Sequence, residues 1–145
     1  MHDASGSDKT YSFKLESITD SDEVHLFESA IDLLSYATLK ELKKERWDEE
    51  NLLSLAGIYQ PAKDIMDSKV PKTLAHFIKN HPNISKIIIH FDNDKAGRLA
   101  TQALKNALSE RYEIIDEPPK SGKDYNDFLR NCLKMNLKND NECYR

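Results

Sequence analysis

Two short segments gather carboxylates where a hard cation could be held. Phe27-Glu28-Ser29-Ala30-Ile31-Asp32 and His90-Phe91-Asp92-Asn93-Asp94-Lys95-Ala96-Gly97 each follow a short apolar run and precede a helical pattern. In an open α/β sheet such a position is the carboxyl end of a strand, where ligand sites form. Glu28, Asp32, Asp92 and Asp94 pack poorly there but offer oxygen ligands suited to a divalent cation. The chemistry this favours is metal-dependent work on phosphates.

Each acid has a second reading. Ser29-x-x-Asp32 fits a capping box, so Asp32 reads equally as a helix cap and as a ligand. Asp94 also reads as an N-cap, and Asp92 as an Asx-turn former. Glu28 ends an apolar strand, where an unpartnered carboxylate is costly, so it calls for a partner or a metal. Asp124 holds a similar place after a later strand, in Ser121-x-x-Asp124, again a possible capping box, with Asn126 and Asp127 beside it. Gly97 falls in the first turn of a helix, where it costs about 1 kcal/mol relative to Ala; close approach of backbone to a phosphate or a strand would compensate. Lys95, Arg98, Lys120 and Lys123 surround these loops and suit substrate phosphates, although each lysine taken singly reads as a solvated charge.

The elements that must position these residues follow from hydrophobic periodicity. Residues 10–15 alternate and suit an edge strand. Val24–Phe27 reads as a short buried strand, and Leu52–Ala56, Lys86–Phe91 and Tyr112–Ile115 as a second, third and fourth strand. The triplet Ile87-Ile88-Ile89 lacks alternation, as expected of a parallel strand covered on both faces. Helices are predicted between them, with Ala30, Leu33, Leu34 and Ala37 inward in the first. Leu74, Phe77 and Ile78 face inward in the one opened by Pro71, and Ala96, Leu99, Ala100, Ala103 and Ala107 in the third. A last helix turns Phe128, Leu129, Cys132 and Leu133 inward. Alternating strands and helices mean βαβ units and a mainly parallel sheet. Right-handed crossovers then bring Glu28 and Asp92 to one edge.

Composition bounds the rest. The 145 residues suggest one domain, polar at its surface, with 32% charged residues and a net charge of −4. The acidic balance argues against a basic DNA-coating domain, although bound cations would offset it. No apolar run is long enough to span a bilayer, and no signal-peptide pattern opens the chain, which together point to a cytoplasmic location. Cys132 and Cys143 lack metal-ligand spacing and read as reduced thiols. The histidines form no zinc pattern, and Gly-rich phosphate loops are lacking. His25 and His90, at matching strand positions, read as packed strand residues.

Taken together, these residues resemble the Toprim domain, shared by topoisomerases, bacterial and phage primases, OLD-type nucleases and recombination-mediator proteins. That family has a glutamate after its first strand, an Asp-x-Asp after its third, and often a later acid. Glu28 stands at the glutamate, and Asp92 and Asp94 at the pair. In the primase branch Gly follows the glutamate and Asp stands four residues on; here these are Ser29 and Asp32. Asp94-Lys95-Ala96-Gly97-Arg98 is similar to the primase segment in which Ala-Gly-Arg follows the acids. Lys123-Asp124-Tyr125-Asn126 resembles the later Lys-Asp-Pro-Asp, with Asn126 replacing the second acid. Phe27–Tyr36, Ser54–Gly57 and Gly122–Asp127 look like segments of mobile-element primase and relaxase-associated proteins, and the likeness runs from about Val24 to Leu133.

The resemblance implies a three-layer, Rossmann-like α/β fold: a mainly parallel four-stranded sheet with helices on both faces, plus an optional N-terminal edge strand. It implies Mg²⁺ or Mn²⁺ held by Asp92 and Asp94, with Asp124 and Asp32 in support, and Glu28 as general acid/base or further ligand. Lys95, Arg98 and Lys123 would contact substrate. The implied activity is primase-like nucleotidyl or phosphoryl transfer on nucleic acid, DNA or RNA, with a nucleoside triphosphate as co-substrate. The setting would be a larger replication or mobilisation protein, with residues 10–135 as the domain, residues 1–9 a disordered or cut end and residues 136–145 a polar tail. Strand cleavage and a non-catalytic nucleic-acid-binding module are the alternatives. A haloacid-dehalogenase-type phosphatase fits poorly, because its acidic pair follows the first strand.

Overall fold

The structure, a computed structural model, describes residues 13–55 and 70–139, with side chains up to residue 134. The elements are β1 (Lys14–Leu15), β2 (Glu23–Phe27), α1 (Ala30–Leu42), β3 (Asn51–Ser54), α2 (Lys72–Asn80), β4 (Lys86–Ile89), α3 (Lys95–Leu108), β5 (Glu113–Asp116) and α4 (Tyr125–Asn139). The start of the expected edge strand, the segment around Gly57 and the ends of the chain lie outside the described residues, while α4 continues into the stretch read as a tail.

The five strands form one sheet in the order β1-β3-β2-β4-β5. β2 pairs in parallel with β3 and with β4, and β4 in parallel with β5; β1 is the antiparallel edge. From β2 the chain crosses to one side through α1 and later returns to the other side through β4. Right-handed crossovers in opposite directions lie on opposite faces of a sheet, and the reversal opens a crevice at the carboxyl ends of β2 and β4.

Period-two alternation decides which side chains meet which helices. Val24, Leu26, Leu53, Ile87 and Ile89 pack with Leu74 and Phe77 of α2 and Ala100, Leu104 and Leu108 of α3. Phe27 and Leu52 point the other way and pack with Leu33, Tyr36 and Leu39 of α1 and Phe128 and Cys132 of α4. The result is the expected three-layer α/β arrangement, and the unalternating Ile triplet is explained by cover on both faces.

Helix phases differ from the periodicity reading. In α3 the buried stripe is Gly97, Ala100, Thr101, Ala103, Leu104 and Leu108, while Ala96, Leu99 and Ala107 face solvent. The cause is Gly97, where an added Cβ would overlap the Asp92 carbonyl oxygen, so this contact sets the helix rotation. In α1, Asp32 is drawn inward by the bonds described below, which brings Ser35, Tyr36 and Leu39 in and leaves Leu34 exposed. Leu133 is likewise exposed, one position past the buried Cys132. Cys132 is disulfide-bonded, which corrects the reading of reduced thiols; pairing depends on a spatial approach that sequence spacing does not encode. Among the described residues no helix is long and apolar enough to cross a membrane.

Candidate metal centre

Three helix N-termini deliver acids to the carboxyl edge of the sheet. β2 ends at Phe27, and Glu28 follows as a buried carboxylate whose Oε2 accepts the Asp92 N–H at 2.7 Å. This bond ties the exit of β2 to the exit of β4, which run side by side. Ser29 then caps α1: its Oγ accepts the Asp32 N–H at 3.2 Å and donates to Asp32 Oδ2 at 3.1 Å. Asp32 Oδ1 accepts the Asn126 N–H at 3.3 Å, which joins α1 to α4. Asp124 stands just before α4, and its Oδ1 accepts the Asp127 N–H at 2.8 Å. The expected Ser121–Asp124 capping box is therefore not the cap. Asp124 caps the helix itself, and Ser121 Oγ accepts from Asn131 at 2.8 Å instead.

These bonds converge three carboxylates. One oxygen from each of Asp32, Asp92 and Asp124 lies within 4.8 Å of the others, the only such cluster of three among the described residues. Like charges at that spacing resist ionisation. The Asp92 carboxyl is pushed up to about 8, first by burial, then by the facing Glu28 carboxylate, with Asp32 and Asp124 adding to it. Asp32 is raised as well, by burial and by Asp124, against the opposing N–H of Asn126 and hydroxyl of Ser29. The donors are hard oxygens without sulfur or imidazole, a set that fits Mg²⁺ or Mn²⁺ and relieves its own repulsion when a cation enters.

The other residues singled out in the sequence take different places. Asp94 caps α3, with its Oδ1 accepting the Gly97 N–H at 2.7 Å, and its other oxygen is 3.6 Å from Lys123 Nζ. The Lys123 carbonyl accepts the Asn93 N–H at 2.6 Å, a direct tie between the β4 and α4 loops. Preceding it, Gly122 sits at φ 76, a left-handed turn suited to glycine, and its missing Cβ leaves room for Asp127. Arg98 spans two strand exits: Nη1 meets Asp116 at 2.7 Å and Nη2 donates to the Phe91 carbonyl at 3.4 Å. Lys95 and Lys120 are exposed nearby. Periodicity gave no sign of Asn126 as an Asp32 partner, because the contact is made by its backbone.

A family model described as Toprim-like matches residues 25–129. No curated protein matches the chain. Among solved structures, the chain is similar to the primase fragment of the bacteriophage T7 primase-helicase protein, with 20% identity and a TM-score of 0.48 over 83% of this chain and 43% of that one. The chain thus spans less than half the length of that fragment.

Proposed function

The chain belongs to the Toprim-like family, and from that premise we propose that it performs Mg²⁺- or Mn²⁺-dependent nucleotidyl or phosphoryl transfer on nucleic acid. The observation that carries this reading is the convergence of Asp32, Asp92 and Asp124 oxygens within 4.8 Å at the carboxyl edge of the sheet. The metal would neutralise charge on the transferring phosphoryl group and orient the attacking oxygen.

The chain's own residues divide the remaining work. Asp92, Asp32 and Asp124 hold the cation, and Asp94, next along the same loop, serves as a further ligand when its cap bond opens. Glu28 is a general acid/base or an added ligand; its buried carboxylate already reaches the Asp92 N–H. Lys95 and Lys123 lie at the rim and contact substrate phosphates. Arg98 faces the same phosphates but stays anchored to Asp116. Primer synthesis from nucleoside triphosphates is favoured over strand cleavage, because Asp94–Arg98 and Lys123–Asn126 resemble primase segments. The working context is a larger replication or mobilisation protein.

The test incubates the protein with single-stranded DNA, nucleoside triphosphates and Mg²⁺, beside Asp92→Asn. Metal-dependent oligonucleotide synthesis that Asp92→Asn abolishes is the expected result. Cleavage without synthesis moves the assignment to a nuclease. DNA binding with no metal-dependent change in the DNA overturns the catalytic reading in favour of a binding module.

A further inference from the structure

A buried polar chain runs beneath the metal centre. His25 on β2 and His90, the residue after β4, are 5% and 1% exposed. Their ring centroids lie 5.0 Å apart with planes 7° from parallel, and His25 Nδ1 is 2.7 Å from His90 Nε2, an edge-to-edge contact. On the far side of the ring, His90 Nδ1 lies 3.0 Å from the Glu117 carbonyl and 3.0 Å from the Tyr125 hydroxyl. That hydroxyl donates to the same carbonyl at 2.9 Å. A carbonyl only accepts, and the single tyrosine proton is committed to it, so His90 Nδ1 must carry the hydrogen that faces the two oxygens. His90 Nε2 then accepts, and His25 Nδ1 donates to it. On its other side, His25 Nε2 lies 3.4 Å from the Glu23 carboxylate and 3.4 Å from the Glu50 carboxylate.

His90 is two residues before Asp92, and Tyr125 directly follows Asp124. We propose that His90 and Tyr125 are positioning residues for the metal centre, their bonds to each other and to Glu117 holding the β4 and α4 loops where Asp92 and Asp124 converge. The inference rests on the metal-centre reading above. Carboxylates brought together in this way repel one another before a cation arrives, and a bond between the loops that carry them resists their spreading. An apolar pair would fill the same volume without the cost of burying these polar groups, and the gain from the polar version is a defined separation, which preorganises a site.

The test titrates the full chain with Mn²⁺, followed by electron paramagnetic resonance, with melting temperature measured in parallel. Tyr125→Phe and His90→Leu are expected to lower Mn²⁺ affinity about tenfold, the low end of what outer partners of metal ligands contribute. His90→Asn places an amide donor where Nδ1 stands and is expected to restore most of the loss. Leu108→Ala, in the core on the other face of the sheet and away from the clamp, should lower the melting temperature and leave affinity unchanged. ¹⁵N-resolved spectra of the wild type should show His90 protonated at Nδ1. Wild-type affinity in Tyr125→Phe, or His90 protonated at Nε2, overturns the clamp alone. A wild-type chain that binds no Mn²⁺, or binds as tightly after Asp92→Asn, overturns the metal-centre reading and the clamp with it.

Discussion

Asp92 concentrates the electrostatic cost of the site. Burial and the facing Glu28, Asp32 and Asp124 carboxylates push it up to about 8, whereas an unfolded aspartate titrates near 3.9. A raised folded value means the native state holds the proton longer. The stability this contributes is whole below about 3.9 and is lost as pH rises through about 8. His25 has the opposite sign. Burial first, then Lys40, lowers it to about 3, so its contribution is complete above the ordinary histidine value of about 6.5 and is lost as pH falls toward 3. Between about pH 6.5 and 8, Asp92 therefore dominates. Metal-free protein should melt at progressively lower temperature across that window, Asp92→Asn should flatten the decline, and saturating Mn²⁺ should reverse it. A metal-free melting temperature that climbs over the same window, followed by calorimetry, would contradict the assignment.

At the scale of elements, the strands were legible and the helix phases were not. Apolar runs bounded by polar turns mark β2, β3 and β4 because burial on both faces is a local property of composition, while β5 is a half-exposed edge strand. The rotation of α3 is instead set by one backbone contact, Gly97 against the Asp92 carbonyl, which no periodicity encodes. The phase can be checked directly. Leu104→Ala should cost about 2–5 kcal/mol, as a buried large-to-small change does. Leu99→Ala, at 41% exposure, should fall within about 0.5 kcal/mol of wild type. Denaturant unfolding separates the two, and equal losses would refute the observed phase. A similar limit applied at Ser121, where the capping pattern matched but Asp124 caps α4 itself.

For the whole molecule, the order β1-β3-β2-β4-β5 explains why acids far apart in sequence share one edge. The α/β class could be read from alternating strands and helices, and motif spacing singled out Glu28, Asp32, Asp92, Asp94 and Asp124 as candidates. Which carboxylates face one another could not, since Asp94 turns to the α3 N-terminus while Asp32 and Asp124 turn toward Asp92. His90 was legible only as a packed strand residue and Tyr125 only as part of the Lys123–Asn126 motif, because their bond crosses between the β4 and α4 loops. A chain with net charge −4 gains a local positive charge for phosphates if this edge takes up a cation. The central claim is therefore that a divalent cation sits there. Anomalous diffraction from Mn²⁺-soaked crystals tests it most directly. The expected result is a peak bounded by oxygens of Asp32, Asp92 and Asp124 at about 2.0–2.6 Å, the usual range for hard cations. A map with no peak at that edge, or with manganese bound only elsewhere, would contradict it.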